Sequence, residues 1–374
     1  MKVRFESAYK RNPSNMKRHI HPIGNENCTL WEAICSMDNL KLAHQNAKKG
    51  KGWYKEVKMI EENSEEYLKE LQDMLINKAY HTSEYETFYK KDGNKNRLIY
   101  KLPYFPDRIC QWAVLQVIEP ILLSNFTADT YSAIPGKGIH SCLHKLQKAM
   151  RNDVKGSQYC LKIDAKQYYP SINHNILKAK YRRLFKDKNL LWLLDEIIDS
   201  TPGESGIPLG NYLSQYSGNY YLSAFDHWIK EIKGVKHYFR YMDDIVILHE
   251  SKEYLHNLRK EIDEYFRVNL KLTIKENWQV FPTFKRGVDY VGYRSFLEFT
   301  LLRKSTCKSM KVKMVKINKK RLNGKPLNYS EWCSINSYKG WLIHCDSYRL
   351  SQKYLFPLEQ YANQYYIQNI KMKG

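Results

Sequence analysis

Two adjacent carboxylates, Asp243 and Asp244, interrupt a run otherwise suited to a buried strand, with Tyr238-Phe239-Arg240-Tyr241-Met242 before them and Ile245-Val246-Ile247-Leu248 after. Side chains alternate faces along a strand, so neighbouring aspartates approach one point only at the turn between two short strands. Such a pair is costly to enclose unless a cation binds there. A third carboxylate stands upstream, where Asp164 ends the alternating segment Tyr159-Cys160-Leu161-Lys162-Ile163 ahead of a proline-stopped turn through Ala165 and Tyr169. Three aspartates from two strands could hold two magnesium ions, because magnesium takes oxygen ligands and leaves part of its shell to water and substrate phosphate. Two such ions about 3.5 to 4 Å apart clamp the attacking and leaving oxygens of a phosphoryl transfer. A double aspartate alone reads as a solvated hairpin turn. The apolar strands around this one, and Asp164 in its own strand, set it apart.

Tyr241-Met242-Asp243-Asp244 resembles the catalytic hairpin of reverse transcriptases, and Asp164 the aspartate of that family's first palm strand. The resemblance continues in order from about residue 77 to about 348. It implies an α+β right-hand polymerase fold of fingers, palm and thumb, preceded here by a helical N-terminal extension. Lys90-Lys91-Asp92-Gly93-Asn94-Lys95-Asn96-Arg97 resembles the fingers hairpin, with Lys90 and Arg97 on the incoming triphosphate. The residues agree: Asp-Gly-Asn is a hairpin-turn signal, and a lysine and an arginine on its arms offer a point charge and a bidentate fork to phosphate. Val288-Asp289-Tyr290-Val291-Gly292-Tyr293 resembles the primer grip, in which Val291, Gly292 and Tyr293 lay the primer end against the aspartates. Tyr131 to His140 is similar to the segment leading into the helix before the first palm strand. By the same resemblance Tyr169 is the sugar gate, whose ring collides with a ribose 2′-hydroxyl and so favours deoxynucleotides, and the Ala165 carbonyl joins the metal shell. The family also places a lysine after the catalytic hairpin to protonate pyrophosphate, and Lys271 and Lys275 are both candidates.

Gly206-Ile207-Pro208-Leu209-Gly210-Asn211-Tyr212-Leu213-Ser214-Gln215 narrows the resemblance. Most reverse transcriptases carry Gln-Gly, then three residues, then Ser-Pro; Leu209-Gly210 and Ser214-Gln215 depart at both ends. That pattern resembles the enzymes of diversity-generating retroelements, which copy a template RNA and misinsert opposite its adenines. Gly210 would admit the nascent base pair, and leucine at 209 removes an amide that could police pairing; Gln215 would otherwise cap the following helix. The resemblance implies magnesium, with manganese as a substitute. Its partners would be a template RNA, the cDNA product, dNTPs and a small basic accessory protein. A related bacterial reverse transcriptase acting in antiphage defence with a noncoding RNA is the alternative reading, and a non-catalytic RNA-binding palm-fold protein the second.

Charge points the same way. The chain has 61 Lys and Arg against 39 Asp and Glu, a formal net charge of +22, as expected for a phosphate-binding surface. Residues 301–326 hold ten lysines and arginines and no acidic residue; Lys304, Lys308 and Lys311 recur at helical spacing, with Met310, Met314 and Ile317 facing inward. The expected divisions are a helical extension over 1–76, fingers over 77–100 and 175–208, palm over 101–174 and 209–297, and a basic helical thumb over 298–374. Within the extension, Trp31 to Ala47 reads as amphipathic, and Asn63 with Glu66 as a capping box. Eight cysteines show no Cys-x-x-Cys and no metal spacing with histidine, so they read as thiols of a reducing cytosol. No apolar stretch approaches membrane length, and a cytoplasmic location is expected.

Overall fold

The computed structural model describes residues 29–92 and 95–369. Helices come first: α1 (Leu30–Cys35), α2 (Met37–Lys48), α3 (Lys55–Glu62) and α4 (Ser64–Ile76). The amphipathic stretch from Trp31 to Ala47 is divided into two helices at Ser36. Its extended backbone ends α1, and its hydroxyl caps α2 by accepting from the Asn39 amide. The capping box at Asn63 does not form, because Asn63 sits at φ −127° and ψ 39° and its side chain makes no capping bond. Leu68, Leu71 and Leu75 are nevertheless buried, as their spacing requires.

The hairpin of β1 (Glu86–Asp92) and β2 (Lys95–Lys101) pairs Lys90 with Arg97; its turn residues Gly93 and Asn94 lie outside the described residues. Next come α5 (Ile109–Ser124), α6 (Ile139–Asn152), β3 (Tyr159–Asp164), α7 (His174–Leu184), α8 (Lys188–Asp199) and α9 (Tyr212–His227). β4 (His237–Tyr241), β5 (Asp244–His249), α10 (Lys252–Leu270) and β6 (Gln279–Pro282) complete an antiparallel sheet of order β4-β5-β3-β6. β7 (Val288–Tyr290), β8 (Tyr293–Ser295) and β9 (Thr300–Leu302) form a separate three-stranded sheet, followed by α11 (Lys304–Leu322), α12 (Tyr329–Leu342), α13 (Tyr348–Tyr354) and α14 (Phe356–Asn369).

Strand alternation divides the interior in two. Leu161, Ile163, Ile245 and Ile247 join one core with the N-terminal helices, α5 and α7–α10. Cys160, Val246, Leu248 and Phe281, on the opposite face, join a second core with α6, β7, β8 and α11–α14. Asn39 ties α2 into the first core by donating to the Ala113 carbonyl of α5 at 3.1 Å, and Gln116 donates back to the Asn39 carbonyl at 2.8 Å. Among the described cysteines, Cys35, Cys110, Cys142 and Cys160 are buried free thiols, while Cys307, Cys333 and Cys345 are half-buried. No described helix is long and apolar enough to cross a membrane.

Candidate active site

Antiparallel register brings the acidic residues together. Asp164 at the end of β3 lies opposite Asp244 at the start of β5, and Asp243 occupies the turn that β4 feeds. Met242, just before it, holds left-handed backbone at φ +58°, a conformation a bulky residue keeps only when its surroundings enforce it. Arg240 does so. Its fully buried guanidinium donates to the Met242 carbonyl at 2.9 Å and to Asn219 Oδ1 at 3.1 Å, and holds the Asp226 carboxylate of α9 at 2.7 and 2.5 Å. The hydroxyls of Tyr238 and Thr130 donate to the same carboxylate at 2.6 and 3.0 Å. From β7, the Tyr290 hydroxyl donates to the Asp244 carbonyl at 2.8 Å. None of these supports was a sequence candidate. An arginine inside an apolar strand was a usable signal for Arg240, and Tyr290 lies within the segment that resembles the primer grip; nothing local marks Asp226.

Burial, a hydrogen bond with Asp164 and repulsion from Asp164 raise the Asp243 carboxyl to about 7. Asp244 is raised to about 6, chiefly by burial, with the Lys162 ammonium pulling the other way. Lys162 Nζ stands 3.7 Å from Asp244 Oδ2 and donates to the Asp289 carbonyl at 2.7 Å. Lys275 forms an ion pair with the Asp164 carboxylate, and its amide donates to the Asp164 carbonyl at 2.9 Å. Geometry thus separates the two candidate lysines: Lys275 faces the acidic cluster, whereas Lys271 is exposed at the left-handed end of α10. Ala165 is buried and bridges to Ile274 beside Lys275. A cavity of about 320 Å3 opens next to the aspartates, lined by Lys162, Asp164, Asp244, Arg286, Arg294 and Arg303 among others.

Among the described residues, no three acidic, histidine or cysteine groups already stand as a closed metal cage. The donor set still suits a hard divalent cation. All three groups offer oxygen, Asp244 Oδ1 is enclosed without a hydrogen-bond partner, and a cation would relieve the repulsion between Asp164 and Asp243.

The remaining candidates fall into three places. Lys90 and Arg97 are exposed on the hairpin, and the charge of Arg97 reaches Tyr169. Tyr169 packs its ring beside Gly218 and donates its hydroxyl to Met242 Sδ at 3.5 Å, while Tyr168 is buried and donates to the Gly218 carbonyl at 2.5 Å. Leu209 is half-buried and its carbonyl accepts from the Tyr100 amide of β2 at 2.9 Å. Gly210, at φ +127°, has no room for a Cβ because the Tyr100 carbonyl fills that space; its close approach is to the hairpin. Gln215 is exposed within α9, and the residue at that helix's N-cap is Asn211. Val291 and Gly292 turn between β7 and β8 with φ +42° and +89°, and Trp341 of α12 covers the glycine. Tyr293 is fully buried, stacked on Trp341 at 5.2 Å. Lys304, Lys308 and Lys311 lie exposed along α11, whose buried residues are Met310, Met314 and Ile317.

A family model described as reverse transcriptase (RNA-dependent DNA polymerase) matches residues 89–295, more than half of the chain. Protein YkfC of Escherichia coli K12 is 23% identical over 266 residues, covering 60% of this chain and 70% of its own length. The group II intron-encoded protein LtrA of Lactococcus lactis subsp. cremoris is 25% identical over 180 residues, covering 46% of this chain and 29% of that protein. Among solved structures, apo telomerase from Candida tropicalis aligns with TM-score 0.48 and 13% identity over 68% of this chain, which spans about half (52%) of that one. Telomerase from Candida albicans in complex with a TWJ fragment of telomeric RNA aligns with TM-score 0.46 and 11% identity over 80% of this chain and 65% of that one. With the family pattern running from the β1–β2 hairpin through the aspartate-bearing strands to β8, the chain belongs to the reverse transcriptase (RNA-dependent DNA polymerase) family and has its mixed helix-and-sheet, right-hand polymerase fold.

Proposed function

We propose that this chain copies a dedicated template RNA into cDNA, with Asp164, Asp243 and Asp244 holding two magnesium ions at the primer terminus. The observation that carries this reading is the strand register, which sets Asp164 opposite Asp244, next to Asp243 in the turn between β4 and β5. When bound, the cations supply charge stabilisation for the attacking and leaving oxygens of nucleotidyl transfer. The protein's own groups do the rest. Lys90 and Arg97, directly opposite one another across β1 and β2, bind the triphosphate, and closure of that hairpin orients it. The Tyr169 ring, set against Gly218 and Met242, excludes a 2′-hydroxyl. Lys275 Nζ, paired with Asp164, holds a proton within the site for the departing pyrophosphate.

In this reading the four-stranded sheet with α5, α6, α9 and α10 is the palm, the β1–β2 hairpin with α7 and α8 the fingers, and α11–α14 the thumb. Lys304, Lys308 and Lys311 grip the nucleic-acid backbone, and the Val291-Gly292 turn positions the primer. The departures at Leu209 and Gln215 support a mutagenic enzyme of the diversity-generating type, working in the cytoplasm with a small basic partner; manganese would serve in place of magnesium. Primer extension on an RNA template with magnesium and dNTPs tests the core of the proposal, with the double variant Asp243→Ala, Asp244→Ala run alongside. Wild type should extend and the variant should not; equal product from both would remove these carboxylates from catalysis.

A further inference from the structure

The elbow between α2 and α3 gathers cations around an exposed indole. Residues 48–58 contain five lysines and a single glutamate, with Trp53 and Tyr54 at the apex. The elbow is ordered by its own turns, in which Lys51 and Tyr54 amides donate to the Lys48 and Lys51 carbonyls at 2.8 and 2.9 Å. Trp53 is 73% exposed, and the Tyr54 ring stands at 83° to it with centroids 4.2 Å apart.

Arg108, at the N-cap of α5, lies close enough to Lys51 and Tyr54 for their charges to interact. Burial holds both the Arg108 guanidinium and the Lys51 ammonium below their ordinary pKa, with no carboxylate contributing to either. Arg108 Nε is enclosed without a hydrogen-bond partner, and among the described residues no ion pair involves Arg108. The local carboxylates are committed elsewhere: Glu56 accepts from the Tyr104 amide at 2.5 Å, and Glu61 binds Lys48 and His44. Two neighbouring cations without a counter-charge call for an anion with several oxygens, and an arginine fork matches phosphate. An exposed indole beside that phosphate fits an unpaired base, because base pairing and stacking hide base faces in a duplex.

We propose that this elbow binds single-stranded RNA, with Arg108 and Lys51 on a phosphate and Trp53 stacked on an adjacent unpaired base. The site extends the template path onto the N-terminal helices; only the identity of that RNA as template rests on the polymerase reading.

Fluorescence anisotropy of labelled oligouridine RNA with the full chain tests it, every protein carrying Asp164→Asn so that binding is read without catalysis. Trp53→Ala should weaken oligouridine binding about 5- to 150-fold, and Trp53→Phe should keep most of the affinity. Lys51→Gln should flatten the salt dependence by about 0.7 in log–log slope. Affinity for a blunt RNA duplex should not change in any of them. Equal losses on duplex and single strand, or none from Trp53→Ala, would overturn the proposal. So would polyglutamate displacing the RNA from wild type and Trp53→Ala alike, an outcome that would assign the patch to an acidic protein surface. Oligouridine binding through Trp53, together with failure of the chain with Asp164 intact in primer extension, would sink the polymerase reading and leave this site standing.

Discussion

Arg240 and Asp226 form a fully buried ion pair behind the Met242-Asp243 turn, and the same guanidinium holds the Met242 carbonyl at 2.9 Å. The pair therefore links α9 to the left-handed residue that aims Asp243. Removing one partner strands the other as an uncompensated buried charge, which costs about 3 to 5 kcal/mol. Asp226→Ala is accordingly expected to lower unfolding free energy by about that amount in urea titration. The apolar double variant Arg240→Met, Asp226→Leu should recover most of this stability yet remain slow in primer extension, because nothing then holds Met242. Full activity in the double variant would show that the turn keeps its shape unaided.

The histidines between α6 and the end of α12 predict a pH response. His140 stacks on His344 at 3.8 Å and hydrogen-bonds the Tyr293 hydroxyl at 3.0 Å, and His144 meets His344 at 3.1 Å. Burial, then His344 and His144, push His140 down to about 4, and His344 is also lowered. A histidine whose folded pKa is depressed contributes stability that is fully present above its ordinary value near 6.5. That contribution fades as pH falls from about 6.5 toward 4. The Asp243 and Asp244 carboxyls, raised to about 7 and 6, work in the opposite sense over the same range, so the histidine contribution is read as a difference: His140→Gln should lose less melting temperature than wild type, or gain more, as pH falls from about 6.5 toward 4. An unchanged profile in the variant would discharge His140 from this role.

Tyr169 is expected to discriminate sugars. Replacing it by alanine opens the space beside Gly218 and Met242, so single-nucleotide insertion should show the preference for dNTP over rNTP falling by at least about tenfold, or 1.4 kcal/mol. Undiminished preference would point to another residue as the gate.

Leu209 carries the fidelity proposal. Its backbone is tied to β2 through the Tyr100 amide, so a side-chain exchange should leave the fold intact. Leu209→Gln should reduce misinsertion opposite template adenine, read by sequencing the cDNA. An unaltered error spectrum would detach this position from base selection.

The aspartates were legible because two independent patterns, a carboxylate pair between apolar strands and an aspartate ending an alternating strand, needed no long-range information. The β1–β2 hairpin and the buried face of α11 were equally plain from turn and helix periodicity. What lay hidden were relationships set by packing. Asp226 sits in a helix and meets Arg240 only once α9 lies against the sheet. Leu270-Lys271-Leu272-Thr273-Ile274-Lys275 puts both lysines on one strand face; only the left-handed end of α10 at Lys271 frees Lys275 alone for Asp164. Asn63 has the residue type of a cap but the wrong backbone, and Ser36, inside an amphipathic pattern, had the backbone to become one. Gly210 was expected to admit the nascent base pair and Gly292 to help lay the primer end against the aspartates; what these glycines meet within the protein is the Tyr100 carbonyl and the Trp341 ring.

The most direct test is the single-turnover rate of nucleotide addition by Asp164→Asn on a preformed primer–RNA template complex, measured with saturating magnesium and dNTP. If Asp164 joins Asp243 and Asp244 in holding the cations, the rate should fall by at least about a thousandfold, near 4 kcal/mol of transition-state stabilisation, while template affinity stays within about twofold of wild type, under 0.5 kcal/mol. A variant that extends the primer at close to the wild-type rate would contradict the account.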